Sequence, residues 1–164
     1  MLSAPTFGIQ AASEVTLTLV AEVSPPIANG QALQATYVAI KGDFAYVSYN
    51  MGGEPFLGAI DVFDIEAPSN PKLVSETIFL DSDIHSLTFD GSNVYAAEGT
   101  GAPGSETPVV WEVIKTKKGK LVLDEKTRVP LPSFAGTSAV VSGKYIYVIS
   151  GNTGGFSVFD KKSL

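Results

Sequence analysis

Short runs in which apolar and polar residues alternate recur along the whole chain. They occupy residues 15–23, 35–40, 44–49, 59–65 and 72–80, then 85–89, 93–98, 109–115 and 120–129, and finally 137–141, 145–150 and 155–160. Helical periodicity is hard to find, and the 16 glycines and 10 prolines lie mainly between the runs. The pattern therefore predicts an all-β protein with many strands and tight turns.

A glycine followed four residues later by a tyrosine occurs three times and sets a repeat. The pairs are Gly42 and Tyr46, Gly91 and Tyr95, and Gly143 and Tyr147. Successive glycines are 49 and 52 residues apart. Such a period, with four strands in each unit, is typical of a β-propeller blade. A single sheet of this kind has two apolar faces, and stacking against neighbouring sheets buries both.

We predict a β-propeller of four-stranded blades, with about three blades in this chain. The blade units are residues 35–80, 84–130 and 136–164, and residues 15–23 form the outer strand of a neighbouring blade. Three blades do not close a ring, because propellers need about four to eight. Two alternatives stay open. The chain is part of a larger propeller, or it forms a homodimer in which each 15–23 strand completes the partner's third blade.

The stretch FDIEAPSNPKLV, residues 63–74, predicts two strands joined by a turn. Proline lacks a donor for the strand ladder, so Pro68 and Pro71 belong in the connection. Asp64 is expected to cap this turn by accepting backbone N–H bonds, and Asp160 occupies the equivalent position in the third unit.

With residues 46–47 and 62–65, this stretch resembles the LVIVD repeat of bacterial and archaeal surface or secreted β-propellers. Residues 145–160 are similar to the related YVTN-type repeat. The resemblance is weaker in the second unit, where WEVIKTKKGK replaces the aspartate and the prolines. It implies a non-catalytic binding scaffold that is extracellular or at the cell surface, with an unknown protein or carbohydrate ligand.

Composition excludes several other classes of protein. The chain has 17 acidic and 11 basic residues and a formal charge of −6, and its one basic cluster, Lys115 to Lys120, is predicted to be a solvated hairpin tip. No nucleic-acid partner is therefore expected. The absence of cysteine excludes disulfides. No apolar run approaches the length of a membrane span, and the first ten residues do not resemble a signal peptide, so an exported form would need a leader absent from this sequence.

His85 is the only histidine and the main candidate for chemistry. A Ser-His-Asp triad would combine it with Ser82 or Ser86 and with Asp81, Asp83 or Asp90, but no nucleophile-elbow motif accompanies it. The run Asp81, Asp83, His85 also suggests a metal site, although the EF-hand spacing is missing. We predict no catalytic residue, no metal and no cofactor. The alternative is a propeller hydrolase or lyase whose site is completed by other blades or a partner chain.

Two further features favour structural roles. The G-x-G-x-x-G pattern at Gly99, Gly101 and Gly104 leads into a strand, whereas a dinucleotide site needs a helix there. Trp111 is expected to pack between blades.

Ligand binding is predicted at one end of the sheets, where long glycine-rich loops follow the second strand of each unit. Loops on a rigid scaffold commonly form binding sites. The candidate residues are Gln34, Asn50, His85, Glu98, Thr137 and Asn152.

Overall fold

The computed structural model describes residues 17–100, 109–131, 135–151 and 154–163, which form antiparallel sheets and a short 3₁₀ turn at Lys161–Ser163. The prediction of an all-β fold is confirmed. A hairpin of β1 (Ile27–Ala28) and β2 (Gln31–Ala32) precedes three sheets. Sheet 1 comprises β3 (Gln34–Lys41), β4 (Phe44–Asn50), β5 (Gly58–Asp64) and β6 (Lys72–Phe79). Sheet 2 comprises β7 (Ser82–Asp90), β8 (Asn93–Thr100), β9 (Val109–Lys117) and β10 (Lys120–Pro130). Sheet 3 comprises β11 (Ala135–Ser142), β12 (Tyr145–Gly151) and β13 (Phe156–Asp160).

The turn between the first two strands has the same conformation in all three sheets. Gly42, Gly91 and Gly143 have φ angles of 57°, 57° and 58°. A side chain is costly in this left-handed region because its Cβ approaches the following carbonyl oxygen. Glycine therefore recurs here for a conformational reason. We call the end of the sheets that carries these turns the turn end, and the opposite end the loop end.

The three anchor tyrosines occupy matching positions in the second strand of each sheet. Their ladder partners are Ala39 and Val62 for Tyr46, Thr88 and Val113 for Tyr95, and Val140 and Val158 for Tyr147. The first strand of each sheet also has a β-bulge, always six positions before the turn glycine. The bulge residues are Thr36, His85 and Thr137. The sequence repeat is therefore a repeat of strand register.

The aspartate caps predicted after the third strands are confirmed. Asp64 Oδ1 accepts a hydrogen bond from the Glu66 N–H at 2.9 Å, and Asp160 Oδ1 accepts one from the Lys162 N–H at 3.0 Å. Pro68 and Pro71 lie between β5 and β6 as predicted. In sheet 2 the aspartate is absent, and the Thr116 hydroxyl donates to the Ser92 carbonyl at 2.9 Å instead.

The sheets stack in series, so that sheet 2 is covered on both faces. The core between sheets 1 and 2 comprises Tyr46, Ile60, Val62, Phe79, Ile84, Leu87, Val94, Ala96 and Ile114. The core between sheets 2 and 3 comprises Tyr95, Ala97, Leu131, Ala139, Ile146 and Val148. We call the face that bears the anchor tyrosine the forward face and the opposite one the back face. In both cores the forward face of one sheet meets the back face of the next.

Hydrogen bonds join neighbouring sheets near the bulges. The Thr36 hydroxyl of sheet 1 donates to the Ile84 carbonyl of sheet 2 at 2.7 Å. The Ala139 N–H of sheet 3 donates to the Ser86 hydroxyl of sheet 2 at 3.2 Å. Packing between the sheets is also close, because a Cβ on Gly58 would lie 2.4 Å from the Ser82 carbonyl oxygen. These contacts fix the register of one sheet against the next.

That residues 15–23 form the outer strand of a neighbouring blade stays a prediction, and the structure describes residues 17–23 of this segment. Residues 17–23 form no strand, and Leu17 is 90% exposed. An alternating segment becomes a strand only where a neighbouring strand satisfies its backbone, and sequence periodicity does not report whether one is present. The structure instead has the hairpin of β1 and β2, which turns at Asn29 and Gly30 with φ angles of 48° and 78°. The Asn-Gly dipeptide is the usual signal for such a turn.

The basic cluster lies at a hairpin tip, as predicted. Lys117 and Lys120 pair at the end of β9 and β10, and the turn residues Lys118 and Gly119 both have positive φ. Gly119 is buried against the Phe44 ring of sheet 1, where a Cβ would lie 2.7 Å from Cε1. Among the described residues, no helix is long and apolar enough to cross a membrane.

Candidate functional site

Two of the predicted site residues come into contact at the loop end. Asn50 is the last residue of β4, and its side-chain Nδ2 lies 3.3 Å from Nδ1 of His85, the bulge residue of β7. An amide nitrogen only donates, so His85 Nδ1 accepts and the neutral ring carries its proton on Nε2. Gln34, which pairs with Asn50 in the ladder of sheet 1, is exposed beside them. Sheets 1 and 2 thus share a small polar surface.

Asp83 holds the adjoining loop in place. Its Oδ1 accepts hydrogen bonds from the N–H groups of Met51 and Leu57, both at 3.2 Å, and its Oδ2 accepts one from Gly53 at 3.3 Å. The Asp83 side chain is buried, and a carboxylate that receives several backbone amides is a strong local anchor. Residues 51–57 of sheet 1 are therefore tied to sheet 2 by one side chain.

The environment of the imidazole favours its neutral form. Burial lowers the pKa of His85 from its ordinary value of 6.5, and the negative charge of Asp83 offsets part of that effect. A Cβ on Gly99 would lie 3.2 Å from His85 Nε2 and 3.7 Å from the Phe56 ring. A glycine at this position therefore leaves the ring the space it needs. A neutral ring with a proton on Nε2 can donate a hydrogen bond to a ligand oxygen.

The triad considered in the sequence analysis finds no support in the contacts of its candidate members. The Ser82 hydroxyl donates to Asp81 at 3.1 Å, and the Ser86 hydroxyl accepts from sheet 3. Asp90 forms an ion pair with Lys161. These serine contacts lead away from the imidazole, so the geometry gives His85 no hydroxyl nucleophile from this set.

The side chains of Asp81, Asp83 and His85, which suggested a metal site, contact three different partners. Asp81 pairs with Arg128 at 2.8 Å, Asp83 binds the loop amides, and His85 contacts Asn50. In residues 17–100, 109–131, 135–151 and 154–163, no group of three or more His, Cys, Asp or Glu side chains is placed to hold a metal ion.

The remaining predicted site residues have different outcomes. Thr137 is exposed at the bulge of sheet 3, and its hydroxyl donates to the Ile149 carbonyl at 3.0 Å. Asn152 lies outside the described residues, as do the side chain of Trp111 and positions 101–108, which include Gly101 and Gly104. Glu98 is fully buried, so it is not available to a ligand at the surface. The prediction that Glu98 contacts a ligand at the surface is therefore corrected, because its position in β8 turns the side chain toward sheet 1.

Glu98 belongs to a buried charged cluster behind the loop end. Arg128 Nε lies 3.2 Å from Glu112 Oε2, and Arg128 Nη2 lies 3.9 Å from Glu98 Oε2. Burial raises the pKa of Glu98 well above its ordinary value, and the neighbouring Glu112 raises it further. Arg128 acts in the opposite direction but does not cancel the burial effect, so the net effect on Glu98 is a raised pKa.

Glu112 of sheet 2 has a counterpart in sheet 1, where the buried Asp61 occupies the corresponding position of the third strand. Asp61 pairs with Val47 in the ladder on one side and with Glu76 on the other, and it is 2% exposed. Burial, together with the charge of Glu76, raises the pKa of Asp61 to about 6, while a hydrogen bond with Tyr49 acts in the opposite direction. Acidic groups thus recur at the third strand of sheets 1 and 2.

Sequence inspection missed both the anchoring role of Asp83 and the charged cluster. A signal for the cluster was present, because Glu98 and Glu112 fall at positions where the alternation of β8 and β9 places Val94, Ala96 and Ile114 in the core. A charged residue at an inward position requires a partner. The signal for Asp83 was weaker, because only the folded chain brings the loop amides to it.

No family model matches the chain, and a comparison with curated proteins finds no significant relative. The functional conclusion therefore depends on the geometry of the chain itself.

Proposed function

We propose that the three sheets are blades of a β-propeller and that the chain is a non-catalytic binding scaffold. The observation that carries this proposal is the repeated stacking, in which a forward face covers the next back face twice with the same bulge and the same tyrosine position. Serial packing of separate sheets with a common register is how propeller blades bury both faces. The resemblance to LVIVD repeats gives the same class, with a location at the cell surface or outside the cell.

The binding surface in this proposal is the loop end at sheets 1 and 2. It combines the exposed Gln34, the Asn50–His85 pair and the loop of residues 51–57, which Asp83 holds. Amide and imidazole groups on strand ends beside a fixed loop suit hydroxyl-rich or peptide ligands, because they offer directional donors and acceptors at little ordering cost. A carbohydrate or a peptide segment of a protein is therefore the expected ligand.

Within the described part of the chain, the contacts of the candidate catalytic residues favour a scaffold over an enzyme. The hydroxyl groups of Ser82 and Ser86 bind Asp81 and the backbone of sheet 3, and Asp83 accepts backbone amides. Glu98, whose pKa is raised, is fully buried in a separate cluster. General acid–base catalysis needs a titrating group within reach of the substrate. Among the described residues of this surface, His85 is the group that could act so, and it is tested below.

The experiment is a comparison of three proteins on a glycan array and a peptide-display library. The wild type is compared with the Asn50→Ala/His85→Ala double variant and with Ser92→Ala, an exposed residue at the turn end whose backbone contacts the change preserves. We expect a wild-type ligand whose affinity falls about tenfold or more in the double variant and is unchanged in Ser92→Ala.

Three outcomes would contradict the scaffold proposal. The first is no binder in either collection, and the second is a binder that the double variant retains fully. The third is turnover of chromogenic ester or glycoside substrates that is lost in His85→Ala, which would favour the enzyme alternative.

A further inference from the structure

Two sheet faces have no covering sheet within the part of the chain that the structure describes. One is the forward face of sheet 3, where Val140, Phe156 and Val158 are 54%, 66% and 49% exposed. On this face the rings of Tyr147 and Phe156 stack with centroids 5.9 Å apart. The other is the back face of sheet 1, which the hairpin of β1 and β2 covers near Tyr49 and Val47 and leaves open elsewhere. Apolar patches of this kind mark interaction surfaces.

The two internal interfaces show what a forward-face tyrosine requires. Tyr46 packs with Phe89, Val94 and Ala96 of sheet 2, and its ring centroid lies 4.8 Å from that of Phe89 in an edge-on arrangement. Tyr95 packs in the same way in the core with Val141, Ile146 and Val148 of sheet 3. In both cases the contacts come from the last part of the first strand and from the two residues that flank the next anchor tyrosine.

The back face of sheet 1 carries the matching set of residues. By position in the repeat, Ile40, Ala45 and Val47 correspond to Phe89, Val94 and Ala96. Ile40 is 58% exposed. Ala45 and Val47 line an open apolar cavity of about 370 Å³, together with Leu33, Phe63 and other apolar residues. The position where a preceding tyrosine would pack is thus an open apolar cavity, with the buried Ala45 among its lining residues and Val23 and Pro25 also lining it.

We propose that the forward face of sheet 3 docks on the back face of sheet 1 of a second copy of this chain, with Tyr147 entering the cavity at Ala45 and Val47. The argument is continuity, since the same pair of faces meets twice within the chain and this contact repeats it a third time. The inference rests on the proposed stacking of blades and is independent of any ligand at the loop end.

The contact is heterologous, because the two faces differ, and it therefore either closes into a ring or continues. Sheets 1 to 3 of two copies make six sheets from the described residues, within the range of about four to eight that closes a propeller. In the closed dimer each copy donates one tyrosine and receives one, so both exposed faces become buried.

Sedimentation velocity over a concentration series tests the proposal. The wild type is expected at twice the mass of the chain. Ile40→Asp alters only the back face of sheet 1, and Val158→Asp alters only the forward face of sheet 3. Both positions are solvent-exposed, so the near-ultraviolet circular dichroism of each variant should match that of the wild type. Each variant alone is expected to be monomeric, with dissociation constants raised about tenfold or more.

An equimolar mixture of the two variants makes the test specific. The Val158→Asp copy keeps an intact sheet 1 and the Ile40→Asp copy keeps an intact sheet 3, so one normal contact remains and a dimer should reappear. Leu80→Asp, a 68% exposed position between β6 and β7, is the matched control and should remain dimeric. Asn50→Ala/His85→Ala should also dimerise, which separates this test from that of ligand binding.

A wild type that stays monomeric at every concentration would overturn the proposal and assign the two faces to further sheets of a longer polypeptide. Failure of the folded variants to associate on mixing would overturn the head-to-tail pairing. Growth into assemblies larger than a dimer would overturn closure into a ring.

Discussion

Asp83 offers the most direct perturbation of the candidate site, because three backbone amides depend on one buried side chain. Asp83→Ala removes all three acceptors. The Leu57 N–H is buried, so its loss of a partner costs about 1–3 kcal/mol, whereas those of Met51 and Gly53 are only partly buried and can recruit water. With a smaller cost of about 1 kcal/mol for each of these two, we expect the free energy of unfolding to fall by about 3–5 kcal/mol.

The conservative variant refines this prediction. In Asp83→Asn the remaining oxygen can keep the bonds to Met51 and Leu57, while the new NH₂ group faces the Gly53 donor, so a loss of about 1–2 kcal/mol is expected. Asp64→Ala removes a single exposed capping bond and serves as the control, with a loss of about 0.5–1 kcal/mol. Urea denaturation measures the three values, and amide hydrogen exchange should show faster exchange within residues 51–57 in the Asp83 variants only.

The reasoning is refuted if Asp83→Ala loses less than about 1 kcal/mol and the exchange rates of residues 51–57 are unchanged. That result would mean that the loop is held by other contacts and that Asp83 does not shape the binding surface.

Three further predictions concern titration and backbone conformation. Because His85 is the only histidine, its NMR titration is directly observable, and its pKa should lie below 6.5. The folded chain then binds fewer protons than the unfolded chain, so the free energy of unfolding should decrease as the pH falls through 6.5. A pKa above 6.5 would contradict the burial argument. The raised pKa of Glu98 means that the folded chain keeps a proton that the unfolded chain loses above pH 4.5, so this group makes stability fall as pH rises. Glu98→Gln should remove the contribution of Glu98 to this pH dependence and raise the Tm at pH 8. A lower Tm would show that the charged form is the stable one. Gly42→Ala and Gly119→Ala both place alanine at positive φ, at a cost of about 1 kcal/mol. Of the two variants, Gly119→Ala alone also meets the Phe44 ring, so it should lose about 1–3 kcal/mol more in urea denaturation. Equal losses would contradict the contact with Phe44.

The sequence was sufficient for the strands and for their repetition, because both follow from local chemistry. Alternation marks which residues face a core, and the glycines at positive φ mark the turns, so eleven of the predicted strands correspond to observed ones. Residues 17–23 differ from these strands, because they alternate but form no strand with the described residues. Alternation gives the preference of a segment, whereas strand formation also needs a neighbour whose backbone groups are free.

The candidate site was predictable only in part. Asn50 and His85 were placed at the loop end by the order of strands alone, and the structure brings them into contact. Glu98 was placed there as well, but whether a residue at a strand end faces solvent or the next sheet depends on packing between sheets, which one unit of the repeat does not reveal. The bulge at His85 was not predictable for a similar reason, because the extra residue can be recognised only once both strands are paired.

The central claim is that three separate sheets are packed in series, and nuclear Overhauser contacts between methyl groups and tyrosine rings test it most directly. The account predicts contacts from the Tyr46 ring to Val94 and from the Tyr95 ring to Ile146, because each pair belongs to one of the two cores. It also predicts no contact between Ile60 and Ile146, since sheet 2 lies between them. A direct contact between Ile60 and Ile146 would place sheets 1 and 3 against each other, as in a two-layer sandwich, and would contradict the account.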